Sequence, residues 1–410
     1  MSISSTDRKG FLEVSGNGHY FVKDGEPFFW LGDTIWPAPS AYSDEELEFY
    51  FKRRHEQGFT IAHITLPYIS FDGVFAAVPG ASADDMPMWR NNNPATPNEE
   101  YFERVDRIIR RADKFGLLLS LGPCGGGGGT LVDRYKLITV DNARPYGRWL
   151  AERYKDFPNI VWSAGFDVPP WCFEDIAIEF TAGIKEGGDE HILFYHPCGG
   201  TSSNHFHNED WLSANMIQTW AAYELIPKMV TADYHRKPYK PIVLAEGAYE
   251  AGTEYPTKPI TARLARRQAY ASYLSGGFHT YGHNDFWRKT PYWRECLESK
   301  GAKSMSVLKD FLTSLEWWKI TPYQSLFDAW VSEAHSAAIS EDGDFAIVYF
   351  AHREELPIRT GRVCAGEPVR AVWVDPENGN RTDAGLINEQ VHAFTSPPSC
   401  DDAILLLTSE

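Results

Sequence analysis

The chain has 410 residues, of which 43% are hydrophobic and 14% aromatic, enough for a large hydrophobic core and unlike a disordered or fibrous protein. Lysine and arginine total 39 against 56 aspartates and glutamates, and the resulting net charge of −17 argues against binding to nucleic acid or anionic lipid. No segment approaches the roughly 18 apolar residues of a membrane helix, and the polar N-terminus lacks the apolar region of a signal peptide, which predicts a cytoplasmic protein.

An alternation of strands and helices begins near the N-terminus. Residues 1–26 predict a small β-hairpin element. An apolar strand then ends on Asp33, and a helix follows in which Ser43 and Glu46 have the spacing of a capping box. A second apolar strand, over residues 59–67, completes one strand–helix–strand unit.

The alternation continues to residue 318. Further apolar strands are predicted at residues 117–121, 159–167, 192–196, 216–220, 242–246 and 278–281. The accompanying helices are predicted at residues 98–115, 140–156, 172–186, 223–236, 260–275 and 303–316. This repetition of strand and helix predicts an α/β fold in which residues 27–318 form a (β/α)8 TIM barrel.

Residues 319–410 have a different pattern. Short β-rich segments such as Phe345–Phe350, Val369–Val374 and Ala403–Leu407 are separated by turns at Asp342-Gly343 and Asn378-Gly379. They predict a small C-terminal all-β sandwich domain, and its expected role is to pack on the barrel.

Polar and aromatic side chains stand where the predicted barrel strands end, which is where barrels of this kind place their chemistry. At the strand ends lie Asp33, Tyr68, Asp167, His196, Gln218, Trp220, Glu246, His279 and Tyr281. Beside them we expect further substrate contacts from Trp36, His63, Phe166, Tyr249 and Glu250. The strand ends carry no lysine or arginine, which disfavours a phosphorylated substrate and favours a neutral, hydroxyl-rich one such as a sugar.

Two of these residues form the minimal apparatus for glycoside hydrolysis. Asp167 and Glu246 end the predicted fourth and seventh strands, on opposite sides of a narrow barrel mouth. One carboxyl group can protonate the leaving oxygen while the other attacks the anomeric carbon or activates water. We expect Asp167 to be the acid/base and Glu246 to be the nucleophile.

Two other classes of function remain open. One is a metal-dependent barrel hydrolase or isomerase built on Asp33, His63, His196 and His279, and the other is an inactive carbohydrate-binding barrel. The six cysteines are scattered and form no Cys-x-x-Cys pair, and no ligand set with metal spacing stands out. We therefore predict neither a metal nor a cofactor. Carbohydrate is the expected partner, and homo-oligomerisation is left open.

Several segments together resemble the apiosidase-like glycoside hydrolases of the family 140 type. The resemblance rests on Pro27–Trp36, Gln57–Phe59, Asn159–Asp167, Tyr195–Pro197, Trp211-Leu212, Met216–Gln218, Glu246 with Tyr249-Glu250, and Gly276–Gly282. These segments occur in the family's order over almost the whole chain.

The resemblance implies a barrel enzyme with a C-terminal β-domain and a retaining mechanism that uses Asp167 and Glu246. We expect exo-acting cleavage of a neutral small glycoside or oligosaccharide, whose sugar is apiose, another pentofuranoside such as arabinofuranose, or another small glycoside. The family usually has Gly-Gly-Asp where this chain has Gly165-Phe166-Asp167. Phe166 is therefore expected to reshape the subsite.

Overall fold

The N-terminal segment forms a small antiparallel sheet of three strands. In the computed structural model, which describes residues 9–67, 86–124, 137–256 and 259–409, these strands are β1 (Leu12–Val14), β2 (Phe21–Lys23) and β3 (Glu26–Phe28). Phe21 of β2 is fully buried and its ring lies 5.1 Å from that of Trp30, so this sheet packs beneath the main sheet.

A curled sheet of nine strands forms the centre of the molecule. Its parallel strands are β4 (Leu31–Thr34), β5 (Ile61–Thr65), β6 (Leu118–Gly122), β7 (Ile160–Ser163), β8 (Leu193–Phe194), β10 (Asn215–Gln218), β11 (Ile242–Glu246) and β12 (Phe278–Tyr281). The short β9 (Thr201–Ser202) pairs antiparallel with β10. The order is β8-β7-β6-β5-β4-β12-β11-β10-β9, so the first and last parallel strands are neighbours and the sheet curls round on itself.

The two ends of the parallel set approach each other without a regular ladder. The backbone N–H of Ser213 donates to the carbonyl of Leu193 (2.9 Å), and the N–H of Leu193 donates to Ser213 Oγ (3.1 Å). No α-helix lies between β8 and β10, where the described chain has only β9 and a short 3-10 turn. The predicted α/β fold with a mostly parallel sheet is confirmed, but the expected eight complete strand–helix repeats are not present.

Ten α-helices occur in the described part of the chain: α1 (Ala38–Ala41), α2 (Asp44–Glu56), α3 (Glu99–Lys114), α4 (Val140–Tyr154), α5 (Pro170–Glu186), α6 (Ile226–Tyr234), α7 (Ala262–Leu274), α8 (Asn284–Trp287), α9 (Trp293–Cys296) and α10 (Lys300–Thr313). The capping box predicted before α2 is confirmed, since Ser43 Oγ accepts from Glu46 N–H and the Glu46 carboxylate accepts from Ser43 N–H. None of the described helices is long and apolar enough to cross a membrane.

The C-terminal segment is all β, as predicted. One sheet has the order β13 (Ile320–Pro322), β14 (Ser336–Ser340), β15 (Phe345–Phe350), β20 (Ala403–Ser409), β17 (Val369–Val374) and β18 (Arg381–Ile387). A second, two-stranded sheet pairs β16 (Glu355–Ile358) with β19 (His392–Thr395). Side chains of both sheets, among them Ile358, Trp373 and Phe394, belong to one buried cluster, so the small sheet packs on one face of the larger.

The other face of the larger C-terminal sheet packs against the α/β unit. Ile347, Tyr349 and Leu406 belong to the same buried cluster as the strands and helices of residues 29–312. Tyr349 stacks on Tyr270 of α7 with the ring centroids 4.8 Å apart. The hydrophobic core is therefore continuous across the junction near residue 319.

Candidate active site

The backbone brings the carboxylates of Asp167 and Glu246 to the same end of the sheet. The register of β10 and β11 pairs Ile217 with Leu244 and then Gln218 with Glu246, so Ala245 is an extra residue that forms a bulge. Such a bulge re-aims the side chain that follows it. Glu246 thereby comes level with Gln218, whose Nε2 donates to Asp167 Oδ1 (3.2 Å).

Burial and mutual repulsion dominate the electrostatics of this pair. The Glu246 side chain is only 13% exposed. Desolvation raises the pKa of Glu246 well above its usual value, the charge of Asp167 raises it further, and a hydrogen bond from Tyr249 lowers it. The charge on Asp167 therefore disfavours ionisation of Glu246.

The loop that carries Asp167 is tightly constrained. Asp167 has φ of 53°, in the left-handed region that most residues avoid. A Cβ atom on Gly165 would stand 2.2 Å from the ring of Tyr195, so only glycine fits there. The Tyr195 hydroxyl donates to the carbonyl of Val168 (2.9 Å), and Ser163 Oγ donates to the carbonyl of Gly165 (2.9 Å). These contacts fix the direction of the Asp167 side chain, and strain of this kind is common at functional sites.

Three buried rings form an aromatic wall next to the pair. Trp36 lies edge-on to Phe166 (4.7 Å between centroids) and to His196 (5.2 Å), and Phe166 lies 5.1 Å from His196. Phe166, where the sequence departs from its apparent family, is thus a central member of this wall. The wall lies beside Glu246, since His196 Nε2 is 3.7 Å from Glu246 Oε2.

His196 presents a hydrogen-bond acceptor to the site. Its Nδ1 lies 3.0 Å from the carbonyl of Pro197, which can only accept, so Nδ1 carries the hydrogen and Nε2 carries the lone pair. Burial lowers the pKa of His196 to about 4, so the ring is neutral at pH 7.

Three buried acceptor-capable atoms at the ends of β8 and β10 have no hydrogen-bond partner in the protein: His196 Nε2, Gln218 Oε1 and Thr219 Oγ1. Most buried polar atoms are hydrogen-bonded, so a cluster of exceptions calls for a ligand that supplies donors. A hydroxyl-rich molecule fits this requirement. Trp220, which is 39% exposed and lies 5.2 Å from the Tyr255 ring, stands near the same strand end as an accessible aromatic surface.

Asp33 lies in a different environment from the one expected for a substrate ligand. It is fully buried, and its Oδ2 accepts from Arg54 Nε (2.5 Å) and from the Tyr50 hydroxyl (2.5 Å), both on α2. Burial raises the pKa of Asp33, while Arg54 and Tyr50 oppose this. Because side chains alternate along a strand, Asp33 faces the helices, and its neighbour Thr34 has the opposite direction.

Glu250 and Tyr281 form a second group away from the carboxylate pair. Glu250 accepts hydrogen bonds from the Tyr281 hydroxyl, from Ser299 Oγ (2.8 Å) and from the backbone N–H of Gly301 (3.1 Å). Ser299 is the N-cap of α10, so the Glu250 carboxylate stabilises the start of that helix. Protein donors already occupy both oxygens of Glu250, which makes it a structural anchor.

The remaining predicted residues are distributed as follows. His63 Nε2 lies 3.2 Å from Thr280 Oγ1 and its ring is 5.6 Å from Trp36, which places it directly beneath the aromatic wall. His279 is buried and, like its register partners Leu31 and Leu244, lies on the face of the sheet opposite to His63. Burial lowers the pKa of His63 to about 3 and that of His279 to about 3. Tyr68 lies outside the described residues.

The ligand atoms needed for the metal-dependent alternative do not converge. Within the described ranges, groups of three possible ligand atoms occur only at His283, Asp285 and Cys296, and at His335, His352 and Glu354. Neither group contains Asp33, His63, His196 or His279. The geometry therefore gives no support to a metal centre built on those four residues.

Tyr255 is a residue of the site region that the sequence did not reveal. Its hydroxyl accepts from the backbone N–H of Tyr249 (3.0 Å), and burial and the charge of Glu246 both raise its pKa. It lies in an irregular loop after β11, where no periodic pattern distinguishes a residue near the site from any other loop tyrosine.

Family models match most of the chain in two parts. The family model described as "Apiosidase-like, catalytic domain" matches residues 15–319, and one described as "Putative collagen-binding domain of a collagenase" matches residues 321–408. A solved structure named as a glycoside hydrolase is 24% identical, with a TM-score of 0.84 over 100% of this chain and 99% of its own.

A glycoside hydrolase family 5 structure from Bacteroides vulgatus is 25% identical, with a TM-score of 0.83 over 98% of this chain and 94% of its own. No curated protein matches the sequence. The two solved structures cover the C-terminal sheets as well as the α/β unit, so the whole arrangement occurs in other proteins.

Proposed function

The chain belongs to the apiosidase-like family, and from this we propose that it is a retaining, exo-acting glycoside hydrolase of the family 140 type. In this proposal the eight parallel strands of the curled sheet form the wall of a barrel that lacks one of its eight helices, and at its mouth Asp167 is the acid/base and Glu246 the nucleophile. The observation that carries the proposal is that Gln218, which pairs in register with Glu246, also donates a hydrogen bond to Asp167, beside a wall of aromatic rings and unpartnered acceptors.

The proposed reaction is a double displacement at the anomeric carbon of the sugar. Glu246 attacks the anomeric carbon while Asp167 transfers its proton to the leaving oxygen, which gives a glycosyl ester on Glu246. Asp167, now ionised, then removes a proton from water as the water attacks the same carbon, and Glu246 leaves as the carboxylate. Gln218 supports this exchange because its amide donates to Asp167 and so holds the side chain in place.

The surroundings favour a small, neutral sugar. His196 Nε2, Gln218 Oε1 and Thr219 Oγ1 can each accept a hydrogen bond from a sugar hydroxyl, and of the three only the Thr219 hydroxyl could also donate to an anionic group. Phe166 and Trp36 narrow the space next to His196, which suits a compact ring such as a pentofuranose. Apiofuranosides and arabinofuranosides are the first substrates to test.

The reverse assignment of the pair also has an observation in its favour. A raised pKa is the property expected of the acid, and it is Glu246 whose pKa burial and Asp167 raise. In that arrangement Asp167 would attack and Glu246 would carry the proton. The two assignments predict different products in one experiment.

The test uses aryl glycosides with Asp167→Asn, Glu246→Ala and the control Glu224→Gln, an exposed carboxylate that lies 3.7 Å from Arg267. Both site variants should lose about 10²- to 10⁴-fold or more in kcat/KM while the control keeps wild-type turnover. Azide should rescue Glu246→Ala with inversion and Asp167→Asn with retention, as determined by NMR of the glycosyl azide. The opposite stereochemistry would exchange the roles, and full activity in both variants would refute the pair.

A further inference from the structure

The site has an enclosed side and an open side. On the enclosed side Trp36, Phe166 and His196 are 4%, 5% and 1% exposed. Trp36 Nε1 also donates to the Tyr249 hydroxyl (2.6 Å), so the polar atoms of these two expected sugar contacts bind each other. On the open side Trp220 is 39% exposed, although tryptophan is among the more buried residues on average. An exo-acting enzyme needs both, because it encloses the sugar that it removes and leaves room for the group attached to that sugar.

The chain holds Trp220 close to both carboxylates. Two residues before it, Gln218 Nε2 donates to Asp167 Oδ1 (3.2 Å). The residue between them, Thr219, donates its backbone N–H to the carbonyl of Glu246 (2.9 Å). The exposed indole is therefore attached to the short segment that joins the two carboxylate-bearing loops.

The backbone of Trp220 is strained and is held in place by its neighbours. Its φ is 49°, in the left-handed region where a bulky residue is an outlier. A Cβ atom on Gly199 would stand 3.1 Å from the Trp220 Cβ, and the N–H of Gly200 donates to the carbonyl of Gln218 (2.8 Å). The indole lies 5.2 Å from the Tyr255 ring. Strain of this kind persists only where the surroundings impose it, and it collects at functional sites.

We propose that Trp220 is the stacking platform of the leaving-group subsite, and that it binds the flat apolar face of the ring to which the released sugar is attached. The inference rests on the proposed role of Asp167 as acid/base. The acid protonates the oxygen of the leaving group, so the leaving group lies on the side of Asp167, where Gln218 and Trp220 stand. Both a second sugar and a phenolic ring have a face that an indole can cover.

Trp171 is a second exposed tryptophan near the acid/base. It is 60% exposed and lies in the first turn of α5, four residues after Asp167. Its connection to Asp167 runs along the chain, whereas Gln218 joins the Trp220 segment to the Asp167 carboxylate directly. The two tryptophans are therefore compared in the same experiment.

The experiment measures kcat/KM for three compounds that carry the same sugar: a disaccharide, a 4-nitrophenyl glycoside and a glycosyl fluoride. The fluoride has no ring in its leaving group, so the indole has nothing to bind. In Trp220→Ala the ratio of kcat/KM for each ring-bearing compound to that for the fluoride should fall about 10-fold, the effect of losing roughly 50 Å² of apolar contact. Trp220→Phe should restore this ratio to within about threefold of wild type. The disaccharide and the nitrophenyl glycoside separate a sugar from a phenolic leaving group.

The control is Tyr239→Ala, which removes an aromatic side chain of similar exposure, 42%. Tyr239 shortly precedes β11, whose opposite end carries Glu246, so it lies at the other end of the sheet. Its loss should leave the ratio at the wild-type value. Trp171→Ala should change the ratio by less than Trp220→Ala does.

A binding measurement gives a readout that does not depend on activity. The tryptophan indoles are labelled with nitrogen-15, and the NMR signal of Trp220 is assigned by its loss in Trp220→Phe. Addition of the methyl pyranosides of glucose, galactose and xylose should shift the Trp220 signal with at least one of the three. The signal of Trp171 should shift less.

Failure of the inference and failure of the proposed function give different results. An unchanged ratio in Trp220→Ala, or a fall in Trp171→Ala alone, would overturn the platform even in an active glycosidase. A shifted Trp220 signal in a protein that cleaves no glycoside would support the platform as a sugar-binding surface and overturn the proposed function. A protein with neither the shift nor glycosidase activity would overturn both.

Discussion

Replacing Asp402 should reveal how firmly the C-terminal sheet is attached to the α/β unit. Its carboxylate accepts from Arg266 Nη2 (2.6 Å) and Nε (3.0 Å) on α7, and from the Tyr349 hydroxyl (2.6 Å) on β15. The side chains of Arg266 and Asp402 are 4% and 2% exposed. Asp402→Asn keeps the shape but leaves a buried guanidinium without its counter-charge.

The expected cost is large for one substitution. Removing one partner of a buried ion pair destabilises a protein by about 3–5 kcal/mol, because the remaining charge stays desolvated. Asp401→Asn is a matched control, since the neighbouring Asp401 pairs with Arg353 at 3.3 Å but their side chains are 72% and 54% exposed. Screening by solvent should limit the cost of that substitution to less than about 1 kcal/mol.

Urea unfolding of the three proteins, followed by far-UV circular dichroism and by enzymatic activity, measures these differences. Asp402→Asn should lower the midpoint much more than Asp401→Asn, and both signals should change together because the core is continuous. Replacing both partners, by Arg266→Met and Asp402→Leu, should recover part of the stability. Equal midpoints for Asp402→Asn and Asp401→Asn would refute this account of the junction.

Two further predictions concern the loop of Asp167 and the buried histidines. Gly165→Ala should force the Tyr195 ring to move and so displace Asp167. A glycoside assay should then show kcat/KM lowered by at least about 10-fold. Wild-type kinetics in this variant would show that the loop adapts. The free energy of unfolding should fall as the pH drops from about 6.5 towards 4, because three histidines bind protons in the unfolded chain but not in the folded one. Together they can lower it by up to about 4 kcal/mol per pH unit. The three are His63, His196 and His279, whose pKa values burial lowers to about 3, 4 and 3. A urea unfolding midpoint that does not change between pH 6.5 and 5 would contradict this prediction.

The order of elements was accessible from sequence because each parallel strand is a buried apolar run and each helix has its own start signal. Ser43 with Glu46 predicted the start of α2 to the residue. The predicted strand over 159–167 was too long, since β7 ends at Ser163 and the chain then turns through a left-handed Asp167. An apolar composition continues beyond the strand, so the hydrophobic pattern could not mark its end.

The face of each strand residue was harder to predict than its position. Asp33 and Tyr281 stand at strand ends, but the alternation of side chains turns both away from the site, so that Asp33 pairs with Arg54 of α2 and Tyr281 donates to Glu250 near the start of α10. Glu246 would have had the wrong direction without the bulge at Ala245. A bulge in a parallel pair leaves no signature in composition or spacing, so its effect on the site is visible only in the folded structure.

The left-handed backbone conformation of Asp167 limits which residues can replace it without loss of stability. Asparagine and glycine adopt this conformation with little strain, whereas a residue such as alanine or valine would pay for it in stability. Under the proposed role of Asp167 as acid/base, a related protein that has lost hydrolysis but kept carbohydrate binding should carry asparagine or glycine here. The residue at this one position would then distinguish inactive from active relatives.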